Sequence, residues 1–229
     1  MICENLQQLR EKISTIAQRC GRDPRDIELL AVSKQMSAEQ IRKAYHCGQL
    51  LFGENFVQEA MAKIPQLDPS IHWHFIGHLQ SNKARQAVRL FAMVETVDRV
   101  KLAEQLNKHA SACGRILDIL VQVNVGEEQQ KSGIAPQNVE QFLTEVGTLQ
   151  HLRVRGLMTI PPYAENPEQS RPFFRALKQL ADHCRVRGLF ADNTSVVLSM
   201  GMSGDYPVAI EEGATLLRIG TAIFGERPR

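Results

Sequence analysis

The chain has 229 residues, of which 43% are apolar and 23% charged, and Lys plus Arg exceed Asp plus Glu by 27 to 25 for a net charge of +2. So much apolar residue with so little net charge excludes a disordered chain, and near-neutrality argues against a dedicated nucleic-acid surface. The five cysteines, Cys3, Cys20, Cys47, Cys113 and Cys184, are scattered and form no C-x-x-C pair, so neither a disulfide framework nor a thiolate zinc site is expected.

The opening MICENLQQLREKIS is amphipathic and charged, with no basic stretch leading into an apolar run, so no signal peptide is expected. No apolar run approaches the roughly 20 residues of a membrane span. A reduced, cytoplasmic protein without a membrane partner is the expectation. Residues 6–17 repeat apolar side chains at helical spacing and predict a helix ahead of the first strand.

Short apolar runs then alternate with amphipathic stretches. The predicted strands are 29–33 (LLAVS), 50–53 (LLFG), 72–77 (HWHFIG), 93–98 (MVETVD), 118–125 (DILVQVNV), 154–160 (VRGLMTI), 195–200 (SVVLSM) and 217–224 (LRIGTAIF). Several are nearly continuous apolar runs, as parallel strands covered on both faces require. Helix punctuation fills the gaps. Ser37 with Gln40 reads as a capping box. Asn166, Pro167 and Gln169 open a helix through Ala181, and Gly48 and Gly188 sit where helices stop. Eight strands interleaved with helices, at about 29 residues per unit, predict one domain over 1–229: a single (β/α)8 TIM-type barrel with an extra N-terminal helix. A doubly wound open sheet would need a glycine-rich turn after its first strand, but KQMSAEQ follows LLAVS.

In such a barrel the C-terminal strand ends carry the site. Lys34 follows the first strand there, where partial desolvation makes an amine nucleophilic; otherwise it is an exposed loop lysine. Asn55, after Gly53-Glu54, offers a donor and an acceptor at the rim, or caps the next helix. His72 and His74 share a strand face, but a metal would need His78 from beyond a glycine turn and no carboxylate or Cys stands at ligand spacing, so no metal is expected. Gln80, Asn82 and Lys83 begin the next helix. The turn Ser199-Met200-Gly201-Met202-Ser203-Gly204-Asp205, with Gly220 and Thr221 after the eighth strand, can present hydroxyls and N–H groups to a phosphate; it can also be only a tight turn. A helix is expected from Asp205, with Pro207 in its first turn. Arg218 lies within a strand between Leu217 and Ile219, where it either faces a heterocyclic nitrogen or pairs with Glu211, Glu212 or another acid. The polar, glycine-bounded loop 126–133 is read either as a mobile segment or as a border of the site. An amine nucleophile, a phosphate cradle and an axial arginine are together what pyridoxal 5'-phosphate requires.

The blocks AVSK ending at Lys34, FGENFVQE, HFIGHLQSNK, GLM at Met158, SMGMSGDYPVAIEEG and LRIGTAIFG resemble the signatures of the pyridoxal phosphate homeostasis proteins, and they extend from Val32 to Gly225. The resemblance implies a barrel like that of bacterial alanine racemase. It implies Lys34 as the Schiff-base lysine, Ser199, Gly220 and Thr221 as phosphate contacts, and Arg218 facing the pyridine nitrogen. Asn55, Met158 and Met200 would line the cofactor. It further implies a monomer in vitamin B6 and amino-acid homeostasis, without robust catalysis, passing cofactor to apo-enzymes that need it.

Residue chemistry gives a reason for weak catalysis. An arginine holds its proton too tightly to protonate a pyridine nitrogen, so the ring is a poor electron sink. A two-base racemase compensates with a second acid/base, typically a tyrosine from another domain. Only Tyr45, Tyr163 and Tyr206 are present, and with five residues after Phe224 no second domain is expected. The competing readings are a pyridoxal-phosphate-dependent amino-acid racemase or lyase, a cofactor-free phosphate-metabolite isomerase, and an interaction module with a vestigial site.

Overall fold

The computed structural model describes residues 1–128 and 132–226. Eight parallel strands close into a barrel in sequence order: β1 (Glu28–Val32), β2 (Leu51–Glu54), β3 (His72–Phe75), β4 (Met93–Val97), β5 (Leu117–Gln122), β6 (Leu152–Met158), β7 (Val197–Ser199) and β8 (Leu216–Ile219), with β8 returning to β1. The helices are α1 (Ile2–Arg19), α2 (Ala38–His46), α3 (Val57–Lys63), α4 (Ala84–Leu90), α5 (Val100–Ala112), α6 (Val139–Val146), α7 (Arg171–Val186), α8 (Tyr206–Glu211) and α9 (Thr221–Phe224). The barrel and its N-terminal helix match the sequence reading. No helix among the described residues is long and apolar enough to cross a membrane.

Local chemistry places several boundaries. Ser37 caps α2 with a reciprocal Gln40 contact, the predicted capping box. Gly48 and Gly188 take φ of +80° and +70° just past α2 and α7, conformations that cost glycine nothing. Asn166 accepts from Glu168 N and starts a 3-10 turn, Pro167–Ser170, that leads into α7. Pro207 lies in the first turn of α8, as expected. Strand ends shift by up to three residues elsewhere, and the largest departure is the last strand: the predicted strand 217–224 stops at Ile219, and its apolar tail Thr221–Phe224 is a short helix. Gly220 is the cap of that helix, so Gly220 and Thr221 stand on the rim.

Alternation along the strands divides the core into two shells. Outward-facing Phe52, Trp73, Phe75, Val94, Val121, Leu157, Leu198 and Leu217 pack under the helices. Inside the barrel, Leu30, Val32, Ile76 and Leu216 form one apolar group, and Met93, Leu120 and Met158 another. Helix α1 buries Leu6, Leu9, Ile13 and Ala17 along one stripe, and Asn5 donates to Ile223 O of α9 at 2.9 Å.

The cysteines depart from expectation. Cys3 and Cys47 are joined by a disulfide, with Cα atoms 5.4 Å apart across 44 residues of sequence. α1 lies across the end of α2, where Arg10 also donates to Cys47 O (3.0 Å) and Gly48 O (2.9 Å). Packing of a helix outside the barrel unit creates this proximity, and sequence spacing carries no trace of it. Cys20 and Cys113 are exposed and Cys184 is buried, with burial pushing its thiol pKa up.

Candidate active site at the barrel mouth

Just above the apolar groups, the barrel interior holds a polar plane. Arg218 on β8 is only 4% exposed. Its Nη1 donates to Ser199 Oγ (2.5 Å) on β7 and its Nη2 to Thr159 O (2.8 Å) beyond β6. The Ser199 hydroxyl donates in turn to Glu95 Oε2 on β4 at 2.5 Å. The other carboxylate oxygen, Oε1, lies 2.7 Å from His74 Nδ1 on β3. Strands β3, β4, β7 and β8 thus each contribute one member of a buried relay. Burial pushes the Arg218 guanidinium below its ordinary pKa, and the negative charges of Glu95 and Asp205 pull it back up. Arg218 does not pair with Glu211 or Glu212, which pair with Arg171 on the outside, where Glu212 also meets Arg175.

A second cluster lies behind the ends of β1 and β2. Lys63 Nζ donates to Ser33 O (2.8 Å) and Glu54 Oε1 (2.8 Å), and pairs with Glu59 at 2.7 Å. These three acceptors match the three protons of an ammonium. Ser33 Oγ also donates to Glu54 Oε1 at 2.7 Å. Burial raises the Glu54 pKa, against the lowering pull of Lys63 and Ser33. Its other oxygen, Oε2, is buried without a hydrogen-bond partner. Lys34 is half-buried in the turn between Ser33 and Met36.

Asn55 does not cap α3; Phe56 holds that position. Its Oδ1 is buried without a hydrogen-bond partner, an acceptor left over at the rim. A Cβ at Gly77 would overlap the Asn55 carbonyl, so only glycine lets the β3 turn pass so close to the β2 turn. On the opposite rim, Gly201 has φ +94°, and a Cβ there would press on Ala209 and Leu217. Ser203 Oγ accepts from Ala222 N at 3.3 Å, joining the turn after β7 to the start of α9. Gly204 has open space around it.

The predicted residues therefore take different positions. Lys34 and Asn55 stand on the β1–β2 side of the mouth, and Gly220 and Thr221 on the β8 side. Ser199 and Arg218 touch each other within the buried plane. Met158 is wholly buried inside the barrel, and Met200 is wholly buried in the helix-facing shell. His74 belongs to the plane, while His72 at the start of β3 is exposed. No group of three or more metal-ligating side chains forms among the described residues. In the 126–133 loop, residues 129–131 lie outside the described residues. Sequence reasoning missed Glu95, Glu54, Glu59 and Lys63. An acid midway along the apolar run MVETVD carries the same signal that singled out Arg218.

Residues 5–228 match the family model of the alanine racemase N-terminal domain. A pyridoxal phosphate homeostasis protein of Aquifex aeolicus is 43% identical over 98% of this chain and 98% of its own length. This chain belongs to the pyridoxal phosphate homeostasis protein family. A Pseudomonas aeruginosa member is 44% identical over 99% of this chain and 96% of its own. The structure of PipY from Synechococcus elongatus PCC7942 with PLP bound is 37% identical and superposes with a TM-score of 0.86, covering 98% of this chain and all of that one.

Proposed function

We propose that this chain binds pyridoxal 5'-phosphate at the barrel mouth, holds it on Lys34 as a Schiff base, and serves vitamin B6 and amino-acid homeostasis without robust catalysis. The observation that carries the reading is Arg218, a charged donor buried at the barrel axis and oriented by Ser199 and Thr159 O. A buried guanidinium fixed from two sides suits one acceptor atom in a fixed place, such as the ring nitrogen. The open rim at Gly204 and Thr221 and the spare acceptor of Asn55 fit a polar ligand reaching from β2 to β8.

In this reading Gly220 and Thr221 hold the phosphate end. Ser199, the expected third phosphate contact, has its hydroxyl engaged between Glu95 and Arg218 and serves by orienting the arginine. Met158 forms the apolar floor, Met200 backs the β7 rim, and Asn55 faces the ligand. When bound, the cofactor supplies an aldehyde with which an amine condenses, releasing water. Arg218 keeps its own proton, so the ring nitrogen receives a hydrogen bond and no charge.

The tyrosines support a non-catalytic role. Tyr45 Oη contacts Ser70 Oγ at 3.0 Å outside the barrel, Tyr206 is buried at the start of α8, and Tyr163 is 92% exposed. None is held as a second acid/base over the mouth. The same reading takes the protein as a cytoplasmic monomer whose partners are the cofactor and apo-enzymes that need it. The test is cofactor loading of wild type and Lys34→Ala, with racemisation and transamination measured alongside. Stoichiometric loading that depends on Lys34, with turnover far below about 1 s⁻¹, is expected. Turnover above that, lost in Lys34→Ala, would make the protein an amino-acid racemase or transaminase.

A further inference from the structure

We propose that Glu59 and Lys63 are positioning residues for Lys34: acting through the backbone on either side of it, they lock the turn that presents its amine. The proposal rests on the reading of Lys34 as the cofactor lysine. Met36 N donates to Ser33 O at 3.0 Å and closes a four-residue turn with Lys34 second and Gln35 third. Gln35 has φ +62°, the left-handed conformation that a type II turn demands at its third position and that glycine or asparagine normally supplies. A glutamine there stays only if its surroundings hold it.

Two contacts hold it. Gln35 N donates to Glu59 Oε1 at 2.5 Å, and Ser33 O accepts from Lys63 Nζ at 2.8 Å. Lys63 and Glu59 are themselves paired at 2.7 Å, one helical turn apart on α3. The residues before and after Lys34 are thus fastened to one ion pair. Lys63 is 9% exposed, an unusual place for a lysine, and all its protons have acceptors in this cluster. A reacting amine displaced by about 1 Å can lose on the order of 100-fold in rate. The clamp therefore sets how fast Lys34 reacts, beyond what it adds to stability.

The experiment uses the full chain. Gln35 amide exchange is measured in the cofactor-free protein, and covalent loading is followed by stopped-flow absorbance, with the adduct reduced and mapped. Glu59 is partly exposed, so Glu59→Ala is expected to fold. Gln35 exchange should accelerate at least tenfold, and loading on Lys34 should slow by about 10- to 100-fold. Glu59→Gln, which keeps the carbonyl acceptor, should load within about threefold of wild type. Gln35→Gly placed in Glu59→Ala should restore most of the rate, because glycine adopts φ above zero unaided. Wild-type loading rates in Glu59→Ala, or a Glu59→Gln as slow as Glu59→Ala, would overturn the proposal. So would a Glu59→Ala/Gln35→Gly protein that stays slow. If wild type itself loads nothing on Lys34, the cofactor reading fails as well, and that outcome is distinct from the others.

Discussion

Replacing Glu95 by leucine tests whether the polar plane acts as one charge-compensated unit. Glu95 is fully buried, Arg218 is 4% exposed, and one hydroxyl, that of Ser199, relays between them with 2.5 Å contacts on both sides. Removing the carboxylate takes away the larger of the two negative charges that balance the buried guanidinium, and breaking a buried pair from one side costs about 3–5 kcal/mol. For a chain of this size each kcal/mol lowers the melting temperature by about 2–4 °C, so Glu95→Leu should melt about 6–20 °C below wild type. Trp73, the single tryptophan, is buried on β3 beside His74 and reports unfolding in urea. Arg218→Leu should also destabilise, by removing the buried cation that balances the Glu95 carboxylate, which keeps its contacts to Ser199 and His74. The double variant removes both charges and should recover about 2–3 kcal/mol of the summed losses. Single and double variants whose losses add to within about 0.5 kcal/mol would refute the coupling.

Other expectations follow from particular contacts. The raised pKa of Glu54 means that the folded protein holds a proton which the unfolded chain releases near its ordinary 4.5, so this group's contribution is full below that value and is lost as pH rises through the folded pKa. Denaturant titrations from pH 4.5 upward should show that fall in wild type and lack it in Glu54→Gln; equal slopes would refute it. The Cys3–Cys47 bridge closes 44 residues, worth about 4 kcal/mol in the chain-entropy account. Cys3→Ser should unfold at lower urea than oxidised wild type, and reductant should remove the difference. Gly77→Ala should lose about 1–3 kcal/mol by forcing its Cβ into the Asn55 carbonyl, and should weaken cofactor retention because the Asn55 turn moves.

The barrel was legible because its strands are buried on both faces and leave continuous apolar runs, and because Ser37, Gly48 and Gly188 mark helix ends by local chemistry. Lys34 and Arg218 stood out for the same physical reason: a cation at a strand end or inside a strand needs an explanation. The end of the last strand is not legible because AIF is apolar in a strand and equally apolar on a short helix. Lys63 escaped notice because a lysine on an amphipathic helix reads as solvent-facing, and its burial depends on Glu54 and Ser33 meeting it from other elements. Ser199 was legible as a polar group at the rim, but its engagement with Glu95, 104 residues away, is a product of barrel closure. The Cys3–Cys47 pairing depends on where α1 lies, which barrel periodicity does not specify.

Whether Lys34 carries pyridoxal phosphate is decided by borohydride reduction of the loaded protein followed by peptide mass mapping. A visible absorption band on loading, bleached by borohydride, is expected, with the added mass on the peptide containing Lys34 and neither band nor adduct in Lys34→Ala. A protein that takes up no cofactor, or that carries the reduced adduct on another lysine, would contradict the Lys34 assignment.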